Sequence, residues 1–410
     1  MIRSRLALPC ALLAASWPVA AQQPTLWETP IELQQVLLDG IATKGKLVFV
    51  GGSQLVNEVQ GFQGQIIGAY DAKTGEQAWF EEGDVATGNV SGAQGEAFLA
   101  PLVVAKNIVV AGGGREVAGP DFEGAVRAYD AKTGTLLWSK HLASASFTEV
   151  AVVGSRVFSA AVVDGEIGAP FIELDAWDLV TGDPLWTKTH GPGAADPAVF
   201  ALAAAGKYVA VVGQQNGVAP GTTDLLVRVY DAATGDFLWD DIYDAGDGND
   251  AGFCAAIKGK LLYVGGAQTP QGGDRDTLLR AYDVATGFSP WTQSPAEAGD
   301  QVVTAMAVSG NRIVTSYLAN FLDYGVRAHV AKTGQVQWNK LMGVSLNFVP
   351  ANLALNGQRC IVPTDEAIFA LQAKTGEPAW DAPSASIVAA IQGSRTFVAG
   401  FGSVQAYASK

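Results

Sequence analysis

The feature that most constrains the fold is an eleven-residue phrase that recurs along the chain. Its clearest copy runs Ala128-Tyr-Asp-Ala-Lys-Thr-Gly-Thr-Leu-Leu-Trp138. Seven copies, 42 to 59 residues apart, begin at Ala69, Ala128, Ala176, Val229, Ala281, Ala328 and Ala370. A period of this size indicates supersecondary units that stack on one another, in a solenoid or a propeller.

Turn chemistry explains the residue types in the phrase. The residues up to the Asp predict one strand, a short hairpin loop follows, and the Trp lies on the returning strand. The Gly supplies the positive φ that closes such a loop, and the Asp carboxylate accepts hydrogen bonds from backbone N–H groups about two residues on. Val330 and Gln372 replace the Asp in the sixth and seventh copies, so we predict that these two corners are less firmly fixed.

The phrase also predicts how neighbouring units pack. Its first residue is usually small and leaves room for a neighbour, and the flat face of the Trp can fill that room on the adjacent unit. The predicted structural residues are Trp27, Trp79, Trp138, Trp186, Trp239, Trp291, Trp338 and Trp380, together with Gly75, Gly134, Gly182, Gly235, Gly287, Gly334 and Gly376.

The two ends of the chain complete one another. Trp27 and its neighbours match the second half of the phrase, and Ala406-Tyr407 matches the first half. A further hairpin, with a turn such as Gly154-Ser-Arg156 or Gly259-Lys260, precedes each phrase and also occurs eight times. The sequence therefore predicts an all-β, eight-bladed β-propeller of four-stranded antiparallel blades, in which the N-terminal strand completes the last blade.

The pattern Ala-x-Asp-x-x-Thr-Gly-x-x-x-Trp resembles the tryptophan-docking motif of the pyrroloquinoline-quinone-like (PQQ-like) propeller repeats. The resemblance extends from Trp27 to Lys410. It implies that the motif joins the third and fourth strands of each blade and that its Trp packs between blades. The family includes quinoprotein alcohol and glucose dehydrogenases, and also non-enzymatic scaffolds such as the outer-membrane β-barrel assembly lipoprotein.

Residues 1–21 have the pattern of a secretory signal peptide. Arg3 and Arg5 precede an apolar run, and Val19-Ala20-Ala21 is a small-residue ending, which predicts cleavage after Ala21. We expect residues 22–410 to form a single propeller domain that is exported to the periplasm or the exterior, soluble, monomeric and without a transmembrane segment. Residues 22–410 contain 24 Lys and Arg and 40 Asp and Glu, which gives a net charge of −16. A charge of this sign disfavours nucleic acid as a partner.

No catalytic residue is predicted. The dehydrogenases of the family place adjacent cysteines against the quinone and a cluster of Glu, Asn and Asp around Ca²⁺. Cys254 and Cys360 of this chain are far apart in sequence, and we expect two separate buried thiols. The sequence also lacks the Cys-x-x-Cys-His of an attached haem. The prediction is therefore that no cofactor binds, and PQQ with Ca²⁺ is the alternative.

One loop offers the oxygen ligands that Ca²⁺ prefers. Asp244, Asp247 and Asp250 surround a permissive Gly, but their spacing misses the EF-hand loop. A solvated acidic loop is the preferred interpretation. The three histidines, His141, His190 and His329, are too scattered to predict a metal site or a triad. The arginines that precede four of the phrases, Arg127, Arg228, Arg280 and Arg327, are predicted to pair with acidic neighbours across strands or between blades.

Functional residues are expected on one face of the ring. Because strand direction alternates, the loops from the second to the third strand share a face with the loops that lead to the next blade. This is the loop face, and the Thr-Gly corners lie on the opposite corner face. The loop face contains three long segments, Gln54 to Gln65, Gly112 to Gly124 and Gln268 to Thr277.

Loops on a rigid scaffold carry binding residues. The predicted function is therefore a non-catalytic scaffold in the cell envelope that binds a protein or a small ligand on the loop face. The alternative is a PQQ-dependent oxidoreductase that uses the central channel.

Overall fold

Strands make up all of the regular secondary structure in the described part of the chain. The computed structural model describes residues 21–33, 36–57, 62–85, 97–116, 122–143, 145, 149–164, 170–191, 197–246, 248–271, 273–295, 299–320, 323–345 and 349–409. Within these ranges, strands β1 to β33 form eight sheets and no helix occurs. The sheets are the blades of an eight-bladed β-propeller, which confirms the predicted fold class.

The strands of blades 1 to 4 follow two short N-terminal strands, β1 (Ala21–Gln22) and β2 (Thr25–Pro30). Blade 1 contains β3 (Val36–Lys44), β4 (Leu47–Asn57), β5 (Phe62–Asp71) and β6 (Gln77–Val85). Blade 2 contains β7 (Ala97–Ala105), β8 (Ile108–Glu116), β9 (Phe122–Asp130) and β10 (Leu136–Ala143). Blade 3 contains β11 (Glu149–Val153), β12 (Arg156–Val163), β13 (Phe171–Asp178) and β14 (Pro184–His190). Blade 4 contains β15 (Ala198–Ala205), β16 (Tyr208–Asn216), β17 (Thr223–Asp231) and β18 (Phe237–Tyr243).

The remaining blades follow the same order. Blade 5 contains β19 (Ala251–Lys258), β20 (Leu261–Gln268), β21 (Asp276–Asp283) and β22 (Trp291–Gln293). Blade 6 contains β23 (Gln301–Ser309), β24 (Arg312–Ala319), β25 (Asp323–Val330) and β26 (Val336–Ser345). Blade 7 contains β27 (Ala354–Leu355), β28 (Arg359–Pro363), β29 (Ala367–Gln372) and β30 (Pro378–Pro383). Blade 8 contains β31 (Ser386–Gln392), β32 (Arg395–Gly400) and β33 (Ser403–Ala408), with β2 as its fourth strand.

Blade 8 unites the two ends of the chain. β2 pairs antiparallel with β33, and Trp27 lies opposite Ala406 in this register. The N-terminal strand is therefore the outer strand of the last blade, as the sequence predicts. β1 adds a short parallel strand to the outer edge of blade 7, where Ala21 pairs with Trp380.

The apolar core is divided among the interfaces between blades. Buried side chains form eight clusters, and each cluster combines residues of two neighbouring blades. Between blades 4 and 5, for example, Val212 and Leu225 meet Val264 and Leu278. A blade therefore buries both of its faces only when it has a neighbour on each side, which is why the ring must close.

The corners have the geometry that turn chemistry predicts. In blade 2, Asp130 Oδ1 accepts hydrogen bonds from the backbone N–H groups of Lys132 (2.9 Å) and Thr133 (2.9 Å). Gly134 has a φ of 78°, and the equivalent Gly of the other copies lies between 71° and 77°. In blade 1 the same backbone hydrogen bonds hold the pKa of Asp71 below its usual range.

The two corners without the Asp keep the turn with fewer hydrogen bonds. In each, the Gly N–H still donates to the backbone oxygen of the replacing residue, Val330 or Gln372, at 2.8 Å. In the sixth corner Asn311 Oδ1 accepts a hydrogen bond from Lys332 N (3.2 Å). The backbone bond is therefore enough to form the corner, and weaker fixing of these two corners stays a prediction.

Each phrase Trp contacts its own blade and the next one. Trp79 lies opposite Ala69 in its own blade, so the small first residue makes room for the Trp of the same unit, not of a neighbour. The ring lies against Gly134 of blade 2, where a Cβ would come within 2.7 Å of the indole. Trp79 Nε1 also donates a hydrogen bond to Ala131 O (3.0 Å). The gap that receives the Trp is thus the corner Gly, which corrects the sequence-based expectation.

The same contact recurs around the ring. The other pairs are Trp27 with Gly75, Trp138 with Gly182, Trp186 with Gly235, Trp239 with Gly287, Trp291 with Gly334 and Trp338 with Gly376. Trp380 faces the split corner of blade 8 and stacks on Tyr407 instead, with 5.8 Å between the ring centroids. The contact between Trp27 and Gly75 closes the ring between blades 8 and 1.

Two of the recurrent arginines form the predicted pairs. Arg228 donates to Asp240 on the adjacent strand (2.7 Å), and Arg280 reaches Asp241 of the preceding blade (3.1 Å). Arg327 also makes a contact between blades, since it donates a hydrogen bond to the Thr277 hydroxyl of the preceding blade (3.0 Å). These contacts cross strands and blade interfaces, so the arginines stabilise the ring.

The Gly134→Ala substitution tests the indole contact, with Gly154→Ala as the matched control. Both glycines have a positive φ (78° and 65°), but nothing lies within 4 Å of a Cβ at Gly154. Positive φ costs Ala about 1 kcal/mol, and overpacking adds about 1–3 kcal/mol. We expect G134A to lower the free energy of unfolding by about 2–4 kcal/mol and G154A by about 1 kcal/mol, measured by urea denaturation. Equal losses would contradict the packing role of the indole.

Candidate binding site in the central channel

The innermost strand of several blades contains a β-bulge. In β3, Leu38 pairs with Gly52 and Gly40 with Gly51, so Asp39 has no cross-strand partner. The bulge residues at the same level of other inner strands are Phe200, Phe253, Thr304 and Ile387. A bulge re-aims a side chain out of the regular strand alternation.

Glycines on the second strand permit most of these bulges, whereas the Thr304 bulge lies opposite Ser316 and Tyr317. A Cβ on Gly52 would overlap the carbonyl group of Leu37, and a Cβ on Gly266 would overlap that of Ala251. The inner strand therefore comes closer to the second strand than a side chain would allow, and the extra residue is displaced. Val-Gly and Gly-Gly steps in the second strands are the sequence signal for this arrangement, and sequence reasoning missed it.

The bulges surround a cavity of about 440 Å³ in the central channel. Asp39, Phe200, Phe253 and Thr304 line it from the bulges, and Glu149 lines it from the start of β11. The rings of Phe200 and Phe253 are 5.2 Å apart between centroids. The cavity has the size that is typical of a site for a small ligand.

The two carboxyl groups of this cavity are poorly hydrated. Burial raises the pKa of Asp39 to about 7 and that of Glu149 to about 7. Asp39 Oδ1 is shielded from solvent and accepts no hydrogen bond from a described residue. Both side chains border the lumen, but the surrounding protein atoms replace most of the water that would hydrate a carboxylate. Each carboxyl group therefore exchanges its proton close to neutral pH.

Cys254 and Cys360 are free thiols, as the sequence predicts. Cys254 lies in the channel wall next to the Phe253 bulge, and Cys360 is buried in blade 7. Burial raises the pKa of each thiol to about 12. Both are therefore protonated at neutral pH, and neither is an activated nucleophile.

The described channel wall does not suit a pyrroloquinoline quinone. This cofactor carries three carboxylate groups, which favour cationic or N–H partners. The described lining of the cavity supplies two carboxyl groups and no Lys, Arg or His. Across the described ranges, no group of three or more His, Cys, Asp or Glu is placed to hold a metal ion. The described lining of this cavity therefore offers no cationic partner for the carboxylates of the cofactor.

Several segments of the predicted functional face are strands and not loops. β4 continues to Asn57 and β5 begins at Phe62, inside the segment Gln54 to Gln65. β8 and β9 likewise extend into the segment Gly112 to Gly124. Pairing of the two strands satisfies backbone groups that a loop would leave to water. Residues 58–61 and 117–121 lie outside the described residues.

Asp250 is a buried structural residue and not part of a solvated acidic loop. Its Oδ1 accepts a hydrogen bond from Thr269 N (2.7 Å), and its Oδ2 accepts one from Ala245 N (2.6 Å). The carboxylate thereby ties the segment that enters blade 5 to the loop between β20 and β21. Asp244 accepts a hydrogen bond from a nearby backbone N–H. Asp247 lies outside the described residues, so the Ca²⁺ hypothesis for the three carboxylates remains untested.

The histidines lie in three different places. His141 is 3.5 Å from Glu123 in blade 2, and His190 is at the end of β14. His329 is buried in the corner of blade 6, and burial lowers its pKa to about 4. Its Nδ1 lies 3.0 Å from Gly334 O, so the neutral ring donates this hydrogen bond. The structure therefore brings no two of the histidines together.

The Asp39→Asn substitution should stabilise the protein at alkaline pH. A folded-state pKa of about 7 against the ordinary 3.8 means that the folded protein holds the proton more tightly, so stability falls as pH rises from about 4 to about 7. At pH 8 we expect D39N to be more stable than the wild type by about 1–2 kcal/mol, and at pH 4 to be equal to it, as measured by thermal melting. This stability difference is smaller than the full pKa difference would give, because water in the lumen screens part of the charge on Asp39. A pH-independent difference would contradict the desolvation of this carboxyl group.

The structure resembles known propellers over nearly its whole length. BamB from Moraxella catarrhalis shares 16% identity at a TM-score of 0.58, over 94% of this chain and 99% of that chain. Sqt1 from Chaetomium thermophilum shares 11% identity at a TM-score of 0.61, over 94% and 98%. A quinohemoprotein alcohol dehydrogenase from Pseudomonas putida HK5 shares 13% identity at a TM-score of 0.41, over 95% and 76%. At these identities the likeness shows the fold alone.

Sequence comparison assigns the family. No curated protein matches the sequence. The described residues contain no helix that could span a membrane. A family model described as outer membrane protein assembly factor BamB matches residues 19–221 and 223–408. The match confirms the resemblance to PQQ-like propellers, and because it covers almost the entire chain, the protein belongs to the family of the outer membrane protein assembly factor BamB.

Proposed function

We propose that this protein is a non-catalytic, exported propeller that binds a protein partner through its loop face. Membership of a family described as an assembly factor supports the proposal, because assembly is carried out by binding other proteins. The pattern of a secretory signal peptide in residues 1–21 supports export to the cell envelope.

An exposed apolar side chain on a well-ordered loop is the observation that carries the proposal. Val218, between β16 and β17 of blade 4, is 96% exposed. Gly217 N donates to Thr222 O (2.9 Å), and Thr222 Oγ1 donates to Ala219 O (2.8 Å). These hydrogen bonds hold the loop in shape. A preordered loop that displays an apolar side chain can bind a partner at a low cost in conformational entropy.

A pocket of about 330 Å³ lies beside this loop, at the interface of blades 4 and 5. Thr223 lines it from blade 4, and Asn249, Phe253 and Arg275 line it from the side of blade 5. Asn249 Oδ1 accepts a hydrogen bond from Thr223 N (3.0 Å), which fixes the two sides relative to each other. An apolar anchor beside a pocket with aromatic and Arg side chains is typical of the energetic centre of a protein interface.

The described channel favours binding over catalysis. Its thiol is protonated at neutral pH, and its carboxyl groups face no described Lys, Arg or His in the cavity wall. An activated nucleophile needs a neighbouring base or a lowered pKa. The pKa of Cys254 is raised, and its Sγ donates to Gly265 O (3.6 Å) and not to a carboxyl group.

The Val218→Asp substitution tests the proposed interface. The tagged protein, without its signal peptide, is immobilised and exposed to a cell-envelope extract, and the retained proteins are quantified by mass spectrometry. We expect V218D to retain the specific partner about tenfold less than the wild type, because a charge replaces an apolar anchor at the interface.

The matched control is Val180→Asp, a change on the corner face at a side chain that is 54% exposed. This variant should retain the partner as the wild type does. Equal recovery by the wild type and V218D would contradict the loop-face site. Stoichiometric binding of PQQ and Ca²⁺ with reduction of an electron-accepting dye would contradict the non-catalytic function.

A further inference from the structure

The channel cavity contains two carboxyl groups and no described group of opposite charge. Asp39 and Glu149 come from blades 1 and 3, and no hydrogen bond or ion pair joins either side chain to another described residue. The chain as a whole is also acidic, with a net charge of −14. The electrostatic potential of the channel therefore favours a cation.

An unpartnered buried carboxyl group is costly for the folded protein. A buried polar atom without a hydrogen bond loses its hydration and gains nothing in return. Asp39 Oδ1 is such an atom, and its side chain occupies a bulge that directs it into the cavity. A ligand with several N–H donors would satisfy this oxygen and would neutralise the charge.

The other polar groups of the cavity already have partners within the protein. Asn352 Oδ1 accepts from Ala389 N (2.8 Å), and its Nδ2 donates to Ala389 O (3.1 Å). The hydroxyls of Thr304 and Ser316 are 2.9 Å apart and hydrogen-bonded. A Ca²⁺ ion needs six to eight oxygen ligands, which this wall does not offer. The carboxyl groups are therefore the polar contacts available to a ligand.

The rest of the cavity wall is suited to a hydrocarbon chain. Phe200 and Phe253 present a pair of aromatic rings, and Ile41, Leu202 and Met306 add aliphatic surface. Aromatic faces also attract cations. This combination of apolar walls with a few acidic groups selects an organic cation over a hydrated metal ion.

We propose that the channel cavity binds an alkylammonium ligand, whose ammonium group pairs with a carboxyl group of the wall, Asp39 or Glu149, and whose hydrocarbon chain packs on Phe200 and Phe253. The volume of about 440 Å³ accommodates a short alkyl amine. The same chemistry occurs in a free diamine and in the lysine side chain of a protein. Phe253 also lines the pocket beside the Val218 loop, but Asp39 and Glu149 line only the channel cavity, so the V218D variant and the D39N and E149Q variants test the two proposals separately.

Isothermal titration calorimetry with cadaverine at pH 7 and low salt tests the proposal. A second arm uses Nα-acetyl-lysine amide, which presents the same ammonium group as a protein lysine. We expect at least one of the two to bind with a protein-to-ligand ratio of one. Binding should release protons, because a cation favours the ionised carboxyl groups, whose pKa values burial raises to about 7. Titrations in buffers of different ionisation enthalpy measure this release. Binding by cadaverine alone indicates a free amine, and binding by the lysine amide alone indicates a protein side chain.

At least one of Asp39→Asn and Glu149→Gln should weaken binding at least tenfold and reduce the proton release. Asp236→Asn, which removes an exposed carboxylate on the corner face, should leave both unchanged. Circular dichroism establishes that each variant is folded. The proposal is overturned if neither amine binds at millimolar concentration, or if D39N and E149Q bind as the wild type does. Equal binding of the uncharged pentane-1,5-diol, or tighter binding of Ca²⁺ than of either amine, would also overturn it.

Discussion

The ring depends on one repeated contact, in which the indole of a Trp lies against the corner Gly of the next blade at seven of the eight interfaces. The corner needs Gly for two reasons: its φ is positive, and a Cβ would collide with the indole. Because the apolar clusters lie between blades, no blade buries its faces without both neighbours. The contact between Trp27 and Gly75 is therefore as necessary as the other six, although Trp27 lies on the outer strand of blade 8 and Gly75 lies in the corner of blade 1.

The candidate binding site also depends on glycines, at which two strands of a blade come close together. Glycines on the second strands let the inner strands bulge, and the bulges turn Asp39, Phe200 and Phe253 to the lumen. A desolvated carboxyl group lowers stability above the pH at which it ionises. Departures from local folding rules tend to occur at functional sites. The desolvated carboxyl group is such a departure, and a cation bound in the channel would offset the stability that it costs. The loop face and the channel thus give the ring two candidate surfaces for binding, which share Phe253.

The fold could be predicted from the sequence because its signals are local. Asp and Gly at fixed offsets specify each corner, and the split copy at Trp27 and Ala406 shows which strand closes the ring. The sequence does not show which Trp packs beside the small first residue of the phrase. A Trp on the same blade and a Trp on a neighbouring blade both require a small residue there, and the structure places the Trp of the same blade opposite it. Strand extension past Gln54 was also missed, because pairing overrides the composition of a loop.

The channel site could not be predicted, for a different reason. Asp39 and Glu149 share no motif, and only the ring brings blades 1 and 3 to one cavity. The sequence also predicts a solvated loop at Asp250, which the structure shows to be buried. The backbone N–H groups that donate to its carboxylate belong to Ala245 and Thr269, on two segments that meet only in the folded protein. Local chemistry therefore predicts the blades, and tertiary contacts decide what the blades present to a ligand.

A circular permutant tests the closure of the ring most directly. In this variant residues 22–33 are removed from the N-terminus and joined through a short flexible linker to Lys410, so that the outer strand of blade 8 follows β33 as in every other blade. Linking two paired strands restricts the unfolded chain, so we expect a thermal midpoint equal to or above that of the wild type. A chain that lacks residues 22–33 altogether should melt well below both. A permutant as unstable as this truncation would contradict the account.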